Sequence, residues 1–464
     1  MLRITVPDGH ENAREYATRV LFETFLGLEV EILQDNTPFY SIEMPNQKGK
    51  LLIPDVFFAA MGTDWLCRAL SPNSPLEVFD TRVLQPTPVT VEPLLPILFG
   101  DKAVRFVQTD SECQLPIDII GSAFYMLSRY EEAVSDSKDI HGRFPASASV
   151  AAREGFLERP IIDEYVEVLW SGLVSTWPSL VRKTRTGRTY VTCDVDCPYQ
   201  FYLRSWKRSL RVVVGDLVKR RSVKAALATV GQYLQVRSGN LMADPFYEAV
   251  SWIMDTNEKH GHQASFYFIP EGSNPQFDQG YSLDDPVLQQ MFEAIRDRGH
   301  RVGLHPSYES HYDQGRIVRE AELLRKAMSN AGFEQELLGG RQHYLRWDIG
   351  TPARWEAAGM NYDSTLSFPE VAGFRAGTSH PFPMYDLVEN RPLKLIQRPL
   401  IAAESIIVSD VYMGMGTTEV ALNYFKELRQ RCYLFGGEFT LLWHNSSFTQ
   451  LPERQFYEEL LESA

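Results

Sequence analysis

The segment Thr189–Pro198, TYVTCDVDCP, has the pattern of a β-strand that ends in two aspartates. Asp194 and Asp196 are two residues apart, so on a strand their side chains point to the same face. Two neighbouring carboxylates in apolar surroundings repel each other and raise each other's pKa, unless a cation or an arginine relieves them. A turn at the strand end is the simpler interpretation, since Asp and Pro are common there. The rest of the sequence has to distinguish a turn from a site that holds a cation or an arginine.

The composition is that of a globular protein with more than one domain. A chain of 464 residues with 44% hydrophobic and 12% aromatic residues is expected to form about two or three domains. The net charge of −14 argues against a general nucleic-acid partner, because phosphate binding requires a basic face. The number of cysteines, five, is odd, and no two of them have the C-x-x-C spacing. This pattern indicates reduced thiols.

The first residues, MLRITVPDGHENAREYATRVLF, contain no apolar core of a signal peptide. No stretch approaches the roughly 20 apolar residues of a membrane-spanning helix. We therefore expect a cytoplasmic protein.

The chain divides by its pattern at about residue 185. Residues 1–185 mix strand-like YSIEM and KLLIPDVFF with helical PIDIIGSAFYMLSRYEEAV and RPIIDEYVEVLWSGLV. They predict a smaller α+β domain of unknown function, in which SRYEE is interpreted as a helix end with exposed carboxylates.

Residues 186–464 alternate between strand and helix patterns. QASFYFIP, HRVGLHP, LLGGRQHYLRW, MNYDSTLSF and EFTLLWHN are strand-like, and amphipathic segments such as DDPVLQQMFEAIRDRG separate them. This alternation predicts a parallel sheet, either open or closed as a barrel.

Polar residues collect where these strands end. In parallel α/β folds, functional groups lie at the carboxyl ends of the strands. Asp oxygens and His nitrogens together suit a divalent cation, zinc above all. The candidate groups in chain order are Asp194 and Asp196, then His305, then Arg341 and His343, then Asp363, and finally His444.

These segments resemble the polysaccharide deacetylase superfamily (NodB-homology, carbohydrate esterase family 4-like). The family motif Thr-Phe-Asp-Asp is similar to Thr192–Asp196, and His-Ser/Thr-x-x-His is similar to GHRVGLHPSYES, where His305 supplies the first histidine. Arg-x-Pro-Tyr is similar to Arg341–Tyr344, and the final Leu-x-x-His to Leu441–His444.

The resemblance extends over nearly the whole chain for an uncharacterised bacterial subgroup of that superfamily. Its members pair DVD with HPSY, RQHYLRW-like and YDSTLSF…GFRAG…PF segments, after an N-terminal domain of unknown function with SRYEE and RPIIDEY stretches. The resemblance implies a distorted (β/α) barrel of about seven strands in residues 186–464. It also implies removal of an acetyl group from an acetylated sugar, in bacterial surface polysaccharide biosynthesis.

The resemblance implies that His305 and one of the two aspartates bind a metal, with zinc as the favoured ion and cobalt or nickel as alternatives. Val195 separates Asp194 from Asp196, so the family motif leaves open which aspartate is the ligand, and Asp196 is assigned to that role.

This chain departs from the family at the second histidine, where Glu309 stands. His343, which replaces the family's proline, is the favoured third ligand, and Glu309 and His311 are the alternatives.

The remaining strand-end residues are assigned to proton transfer. Asp194 would act as general base and His444, as imidazolium, would protonate the departing amine. Arg341 would pair with Asp194, and Asp363 would orient Arg341.

The substrate class is an acetylated saccharide or a lipid-linked glycan precursor. One alternative is hydrolysis of another C–N bond, such as a formamide or cyclic amide, on the same fold. The other alternative is a non-catalytic saccharide-binding protein with a decayed metal site, since the family's second histidine is missing.

Residues 198–243 form a basic interruption after the first strand of this region. They contain nine basic residues and one acid, Asp216, so their net charge is +8 and the remainder of the chain carries −22. The segment could dock on the acidic remainder of its own chain, or contact an anionic membrane or lipid-linked glycan.

Overall fold

The computed structural model describes residues 1–109, 111–218 and 220–462, and it has a mixed α/β fold. The strands are β1 (Leu2–Pro7), β2 (Val30–Asp35), β3 (Phe39–Glu43), β4 (Lys50–Pro54), β5 (Glu77–Asp80), β6 (Leu94–Ile97), β7 (Val107–Gln108), β8 (Glu112–Gln114), β9 (Arg188–Val195), β10 (Ala264–Phe268), β11 (Arg301–Leu304), β12 (Gly339–Gly340), β13 (Tyr362–Asp363), β14 (Phe382–Asp386), β15 (Arg391–Gln397), β16 (Ala402–Ala403) and β17 (Glu438–His444). The α-helices are α1 (Glu11–Arg19), α2 (Phe57–Met61), α3 (Ile119–Leu127), α4 (Tyr130–Ala133), α5 (Val150–Arg153), α6 (Ile161–Thr176), α7 (Trp206–Val218), α8 (Val223–Arg237), α9 (Pro245–Lys259), α10 (Pro286–Asp297), α11 (Gln314–Asn330), α12 (Thr351–Ala357), α13 (Glu404–Ile407), α14 (Glu419–Leu434) and α15 (Leu451–Glu462).

The C-terminal region is built on a nine-stranded sheet. Its strand order is β14-β15-β13-β12-β11-β10-β9-β17-β16, and every neighbouring pair is parallel except β14 with β15. Asp194 on β9 lies in register with His444 on β17 and with Tyr267 on β10. The carboxyl ends of the central strands therefore meet at one edge.

The structure confirms the strands and helices expected after residue 185. Strand β10 is buried along its whole length, as expected for a parallel strand covered on both faces. Helices α9 and α10 begin at Asp-Pro pairs, where the aspartates Asp244 and Asp285 accept hydrogen bonds from the first-turn N–H groups. The β14–β15 hairpin and β16 were not predicted.

Closure of this sheet into a barrel remains a prediction. Within the described residues, the strand pairs run from β14 at one edge to β16 at the other without a pairing between these two.

The N-terminal region contains a six-stranded sheet of order β2-β1-β3-β4-β8-β7, and β5 and β6 pair separately. The predicted strands YSIEM and KLLIP correspond to β3 and β4, and the predicted helices to α3, α4 and α6. Both sheets contribute to one continuous hydrophobic core. The division into domains at residue 185 therefore remains a prediction.

The SRYEE segment is buried, and our interpretation of exposed carboxylates was wrong. Arg129, Glu131 and Glu132 are all less than 10% exposed. Arg129 donates to both carboxylates, and Glu132 also accepts from Arg375 of the C-terminal region at 2.6 Å. These side chains are ionised groups that stabilise one another inside the protein instead of being solvated.

Among the described residues, no helix has the length and apolar character that crossing a membrane would require.

Candidate metal centre

Three side chains converge at the carboxyl edge of the large sheet. Asp196 follows β9, His305 follows β11, and His343 lies in a short 3₁₀ turn after β12. Each offers a ligand atom, and the three atoms lie within 4.8 Å of one another. The shortest separation is 3.1 Å, between His305 Nε2 and Asp196 Oδ1.

The backbone selects the tautomer of His305. Its Nδ1 lies 2.6 Å from the carbonyl oxygen of Arg341, so Nδ1 carries the proton and donates it. In the tautomer with the proton on Nδ1 alone, Nε2 presents a lone pair toward Asp196.

His343 is held in the same way by a carboxylate. Its Nδ1 lies 2.9 Å from Asp278 Oδ1, and its Nε2 lies 3.7 Å from Asp196 Oδ2. Asp278 is itself held by the N–H groups of Ser273 and Asn274. A carboxylate behind a metal-binding imidazole is a common support, because it fixes the ring and raises its basicity.

The arrangement fits a divalent cation. His305 Nε2 and Asp196 Oδ1 are buried, face each other and have no hydrogen-bond partner. Two acceptor atoms at this distance repel unless a cation lies between them. One carboxylate and two imidazoles make up the protein ligand set of many catalytic zinc sites, which keep a further position open.

Electrostatics in the site favour an ionised carboxylate. Burial would raise the pKa of Asp196, but the neighbouring imidazoles, His343 first, outweigh burial and hold that pKa well below its usual range. Burial lowers the pKa of His343, whereas Asp196 and then Asp278 raise it, with a net value of about 9. His343 would therefore release a proton when its Nε2 takes up a cation at neutral pH.

Asp194 lies beside this cluster and is paired with a buried arginine. Arg341 donates from Nη1 to Asp194 Oδ1 at 2.8 Å and to Thr192 at 3.0 Å. The other carboxylate oxygen, Oδ2, lies 3.8 Å from His305 Nε2. Asp194 thus has one oxygen held by arginine and one directed toward the cluster.

The prediction that Asp363 orients Arg341 was wrong, because the two side chains are not hydrogen-bonded. Arg341 is oriented by Ser364, whose carbonyl and hydroxyl oxygens accept from Nε at 2.9 Å and Nη2 at 3.1 Å. Asp363 instead accepts from the N–H and hydroxyl of Thr365. Burial raises the pKa of Asp363 to about 7.

His444, on the last strand, also faces the cluster. Its Nε2 lies 3.8 Å from Asp196 Oδ2, and its Nδ1 donates to Glu404 at 2.7 Å. Burial lowers the pKa of His444, but the Glu404 carboxylate outweighs burial and raises the pKa to about 10. The imidazole is therefore protonated at neutral pH.

The two alternative ligands lie elsewhere. Glu309 accepts from Asn274 at 3.1 Å and from the Tyr312 hydroxyl. His311 is buried, which lowers its pKa to about 4. Among the described residues the cluster comprises Asp196, His305 and His343, so the geometry favours His343 as the third ligand.

The cluster opens onto a cleft of about 450 Å³. Its walls include the aromatic rings of Phe277, Tyr344 and Tyr412, and the guanidinium of Arg143 from the N-terminal region. Arg143 donates to the carbonyl of Tyr344 at 2.8 Å. The cleft is thus formed by both regions of the chain.

Sequence reasoning missed Asp278 and Glu404. Glu404 directly follows β16, so the rule that polar groups lie at strand ends would have identified it had that two-residue strand been recognised. Asp278 lies in an irregular loop, and no periodic pattern marks it.

Residues 2–178 match a family model described as a family of unknown function (DUF7033). No curated protein matches the chain. Two solved structures are similar in part. A "putative polysaccharide deacetylase" from Mycobacterium smegmatis is 14% identical with a TM-score of 0.38, over 61% of this chain and 84% of that one. A "putative polysaccharide deacetylase involved in O-antigen biosynthesis" from Bordetella bronchiseptica is 15% identical with a TM-score of 0.29, over 56% of this chain and 72% of that one. At these TM-scores, neither likeness establishes an activity for this chain.

Proposed function

We propose that the protein is a metal-dependent hydrolase that removes an acetyl group from an acetylated saccharide. The observation that carries the proposal is the convergence of Asp196, His305 and His343, where Asp196 Oδ1 and His305 Nε2 have no hydrogen-bond partner, beside the arginine-paired Asp194 and His444. Zinc is the ion that this ligand set favours, and cobalt or nickel would also suit it.

The residues beside the cluster can supply a base and an acid. A divalent cation held by Asp196, His305 and His343 supplies Lewis-acid chemistry, which acidifies water and polarises an acyl oxygen. Asp194 can accept a proton at Oδ2, since Arg341 occupies Oδ1.

His444 is suited to the opposite transfer. Its Nδ1 is held by Glu404, and its Nε2 points to the cluster. The imidazolium can donate from Nε2 to a departing amine, whose nitrogen leaves poorly without a proton. Glu404 orients the ring and maintains its charge.

The walls of the cleft suit a sugar. The rings of Phe277, Tyr344 and Tyr412 offer apolar faces for stacking, and Arg143 and Gln279 offer hydrogen-bond donors for hydroxyl groups. A precursor of a bacterial surface polysaccharide is the substrate class that we propose.

Acetate release and metal content together test the proposal. Purified protein loaded with zinc, cobalt or nickel is assayed for acetate release from acetylated sugar nucleotides, lipid-linked sugars and oligosaccharides, and bound metal is measured by elemental analysis. We expect one ion per chain and turnover on at least one class. Asp194→Asn should retain the ion and lose about 10²–10⁴-fold in turnover, which is typical of a lost general base.

The exposed Asp64 provides a matched control, since Asp64→Asn makes the same chemical change away from the cleft. It should leave turnover unchanged. A metal-loaded protein that releases no acetate from any of these substrates would contradict the proposal, as would an Asp194→Asn variant with full activity.

A further inference from the structure

Helices α7 and α8, which we call the basic hairpin, bury polar residues and expose most of their large apolar residues. Asp216 and Thr229 are buried, and the Thr229 hydroxyl donates to Asp216 Oδ2 at 2.6 Å across the two helices. Ser209 on α7 is also buried, together with the apolar Ala226 and Val236 on α8. Exposed large apolar side chains are unusual in a helix pair packed in water.

Each helix presents an exposed apolar stripe at helical spacing. Three side chains of each stripe are between 47% and 68% exposed: Trp206, Leu210 and Val214 on α7, and Val223, Leu227 and Leu234 on α8. At about 100° per residue, the stripe is rotated from the buried polar residues by about 110° on α7 and about 140° on α8, in the same sense. The short connection between Val218 and Val223 favours antiparallel packing, which places both stripes on one side of the hairpin.

Basic side chains border this apolar surface. Lys207, Arg211, Arg221 and Lys224 are exposed, and within the described part of the chain none of them forms an ion pair. Arg220 does form one, with the hairpin's own Asp216. A further basic residue, Lys219, lies outside the described residues.

We infer that the basic hairpin docks on an anionic membrane surface. An apolar stripe bordered by lysine and arginine is the chemistry of interfacial helices, which bury the stripe among acyl chains and place the cations at lipid phosphates. A second copy of the hairpin would bring like charges together. Docking on the acidic remainder of the chain is not supported by ion pairs in the described residues.

The hairpin also forms part of the cleft wall. Arg208 lines the cleft beside Gln279 and donates to it at 2.7 Å. Docking through the hairpin would therefore hold the cleft close to the bilayer. If the proposed deacetylase function holds, this position suits a saccharide carried on a membrane lipid, but the docking itself does not depend on that function.

Vesicle sedimentation of the full chain tests the docking. We expect the protein to pellet with vesicles of phosphatidylglycerol and phosphatidylcholine, to pellet far less with phosphatidylcholine alone, and to be released by high salt. The emission of Trp206 should shift to the blue on binding, and Trp206→Phe should remove that part of the shift.

Two variants separate the contributions. Each basic residue near an anionic surface contributes about five-fold in affinity, so replacing Lys207, Arg211, Arg221 and Lys224 by Gln should weaken binding by roughly 600-fold, nearly three orders of magnitude. Leu210→Ser with Leu227→Ser changes no charge and should also weaken binding at least about ten-fold. Replacing Lys48, Arg105, Lys138 and Lys394 by Gln makes the same charge change at exposed sites elsewhere and should have little effect.

Circular dichroism and metal content verify that each variant is folded. The inference is overturned if the folded protein does not bind anionic vesicles at low salt, or if the control variant weakens binding as much as the hairpin variant. Self-association abolished by Leu210→Ser with Leu227→Ser, without vesicle binding, would also overturn it by showing that the stripe binds a second copy.

Discussion

At the scale of single residues, two aspartates two positions apart have different chemistry because their partners differ. Asp194 is paired with the guanidinium of Arg341, whereas Asp196 faces imidazole nitrogens. The first arrangement suits the proposed base, which keeps one oxygen directed toward the cluster, and the second suits the proposed metal ligand. The turn that could have explained TYVTCDVDCP is therefore not needed.

The first prediction concerns the third ligand. His343→Ala should lower zinc affinity by more than about 100-fold, while Asp278→Asn, which removes only the support of the ring, should cost about 10–100-fold. Glu309→Ala should leave zinc affinity nearly unchanged. Isothermal titration with zinc measures all three, and a larger loss for Glu309→Ala than for His343→Ala would reassign the ligand.

The second prediction concerns the acid. His444→Ala should reduce turnover of an N-acetyl substrate by about 10²–10⁴-fold and affect an activated ester much less, since that leaving group needs no proton. Equal losses on both substrates would show that His444 is structural.

The partner of His444 provides a pH readout. Glu404 raises the pKa of His444, so Glu404→Gln should lower that pKa. The imidazolium is then lost at lower pH, and the alkaline limb of the pH–rate profile should move toward lower pH. An unmoved alkaline limb would separate Glu404 from the acid function.

At the scale of elements, the site depends on how closely two strands approach. A Cβ built on Gly340 of β12 would lie 1.7 Å from the carbonyl oxygen of Leu304 on β11. Gly340 precedes Arg341, and Leu304 precedes His305, so this contact sets the distance between two site residues. Tyr344 and Leu345, just beyond, have φ values of 59° and 53°, a conformation that L-residues adopt at a cost of about 1–3 kcal/mol each.

We therefore predict that Gly340→Ala is strongly destabilising. The strands must separate, so the free energy of unfolding should fall by about 3 kcal/mol or more, and metal affinity should fall with it. Gly231→Ala on α8, where an added Cβ meets nothing within 4 Å, should instead stabilise by about 0.5–1 kcal/mol. Urea unfolding compares the two, and similar effects would contradict the close approach.

At the scale of the whole molecule, buried charges join the N-terminal region to the large sheet. Glu132 accepts from Arg375 Nε at 2.9 Å and from Arg129 Nε at 2.7 Å, and Arg129 also donates to the carbonyl of Arg375. Nearby, Asp163 of α6 accepts from the N–H and hydroxyl of Ser379. Because the N-terminal region also contributes Arg143 to the cleft, these contacts position part of the site.

Removing one member of this buried network should lower the free energy of unfolding far more than removing a surface ion pair does. Arg375→Ala leaves a buried carboxylate without one of its partners and should cost about 3–5 kcal/mol. Arg68→Ala breaks the pair with Asp136, whose side chains are 69% and 81% exposed, and should change the free energy of unfolding far less, because water screens an exposed ion pair. Urea unfolding monitored by circular dichroism measures both, and equal losses would show that the network does not stabilise the assembly of the two regions.

The sequence by itself determined the alternation of strands and helices after residue 185 and the polar groups at the strand ends. Both are local properties: side-chain periodicity selects strand or helix, and parallel strands bring their carboxyl ends to one edge. For that reason the sequence alone predicted that Asp194, Asp196, His305, Arg341, His343 and His444 would lie together. The assignment of Asp196, His305 and His343 as ligands came from the resemblance to the deacetylase superfamily and stays a proposal.

Only the tertiary structure decided which groups support these residues. Asp278 lies 65 residues from His343, and Glu404 lies 40 residues from His444, so no spacing rule links them. Ser364 took the contact expected of Asp363 because the backbone after β13 presents its carbonyl to Arg341. The same holds for the buried SRYEE charges and the outward apolar stripes of the basic hairpin, since burial depends on what the rest of the fold places against a helix.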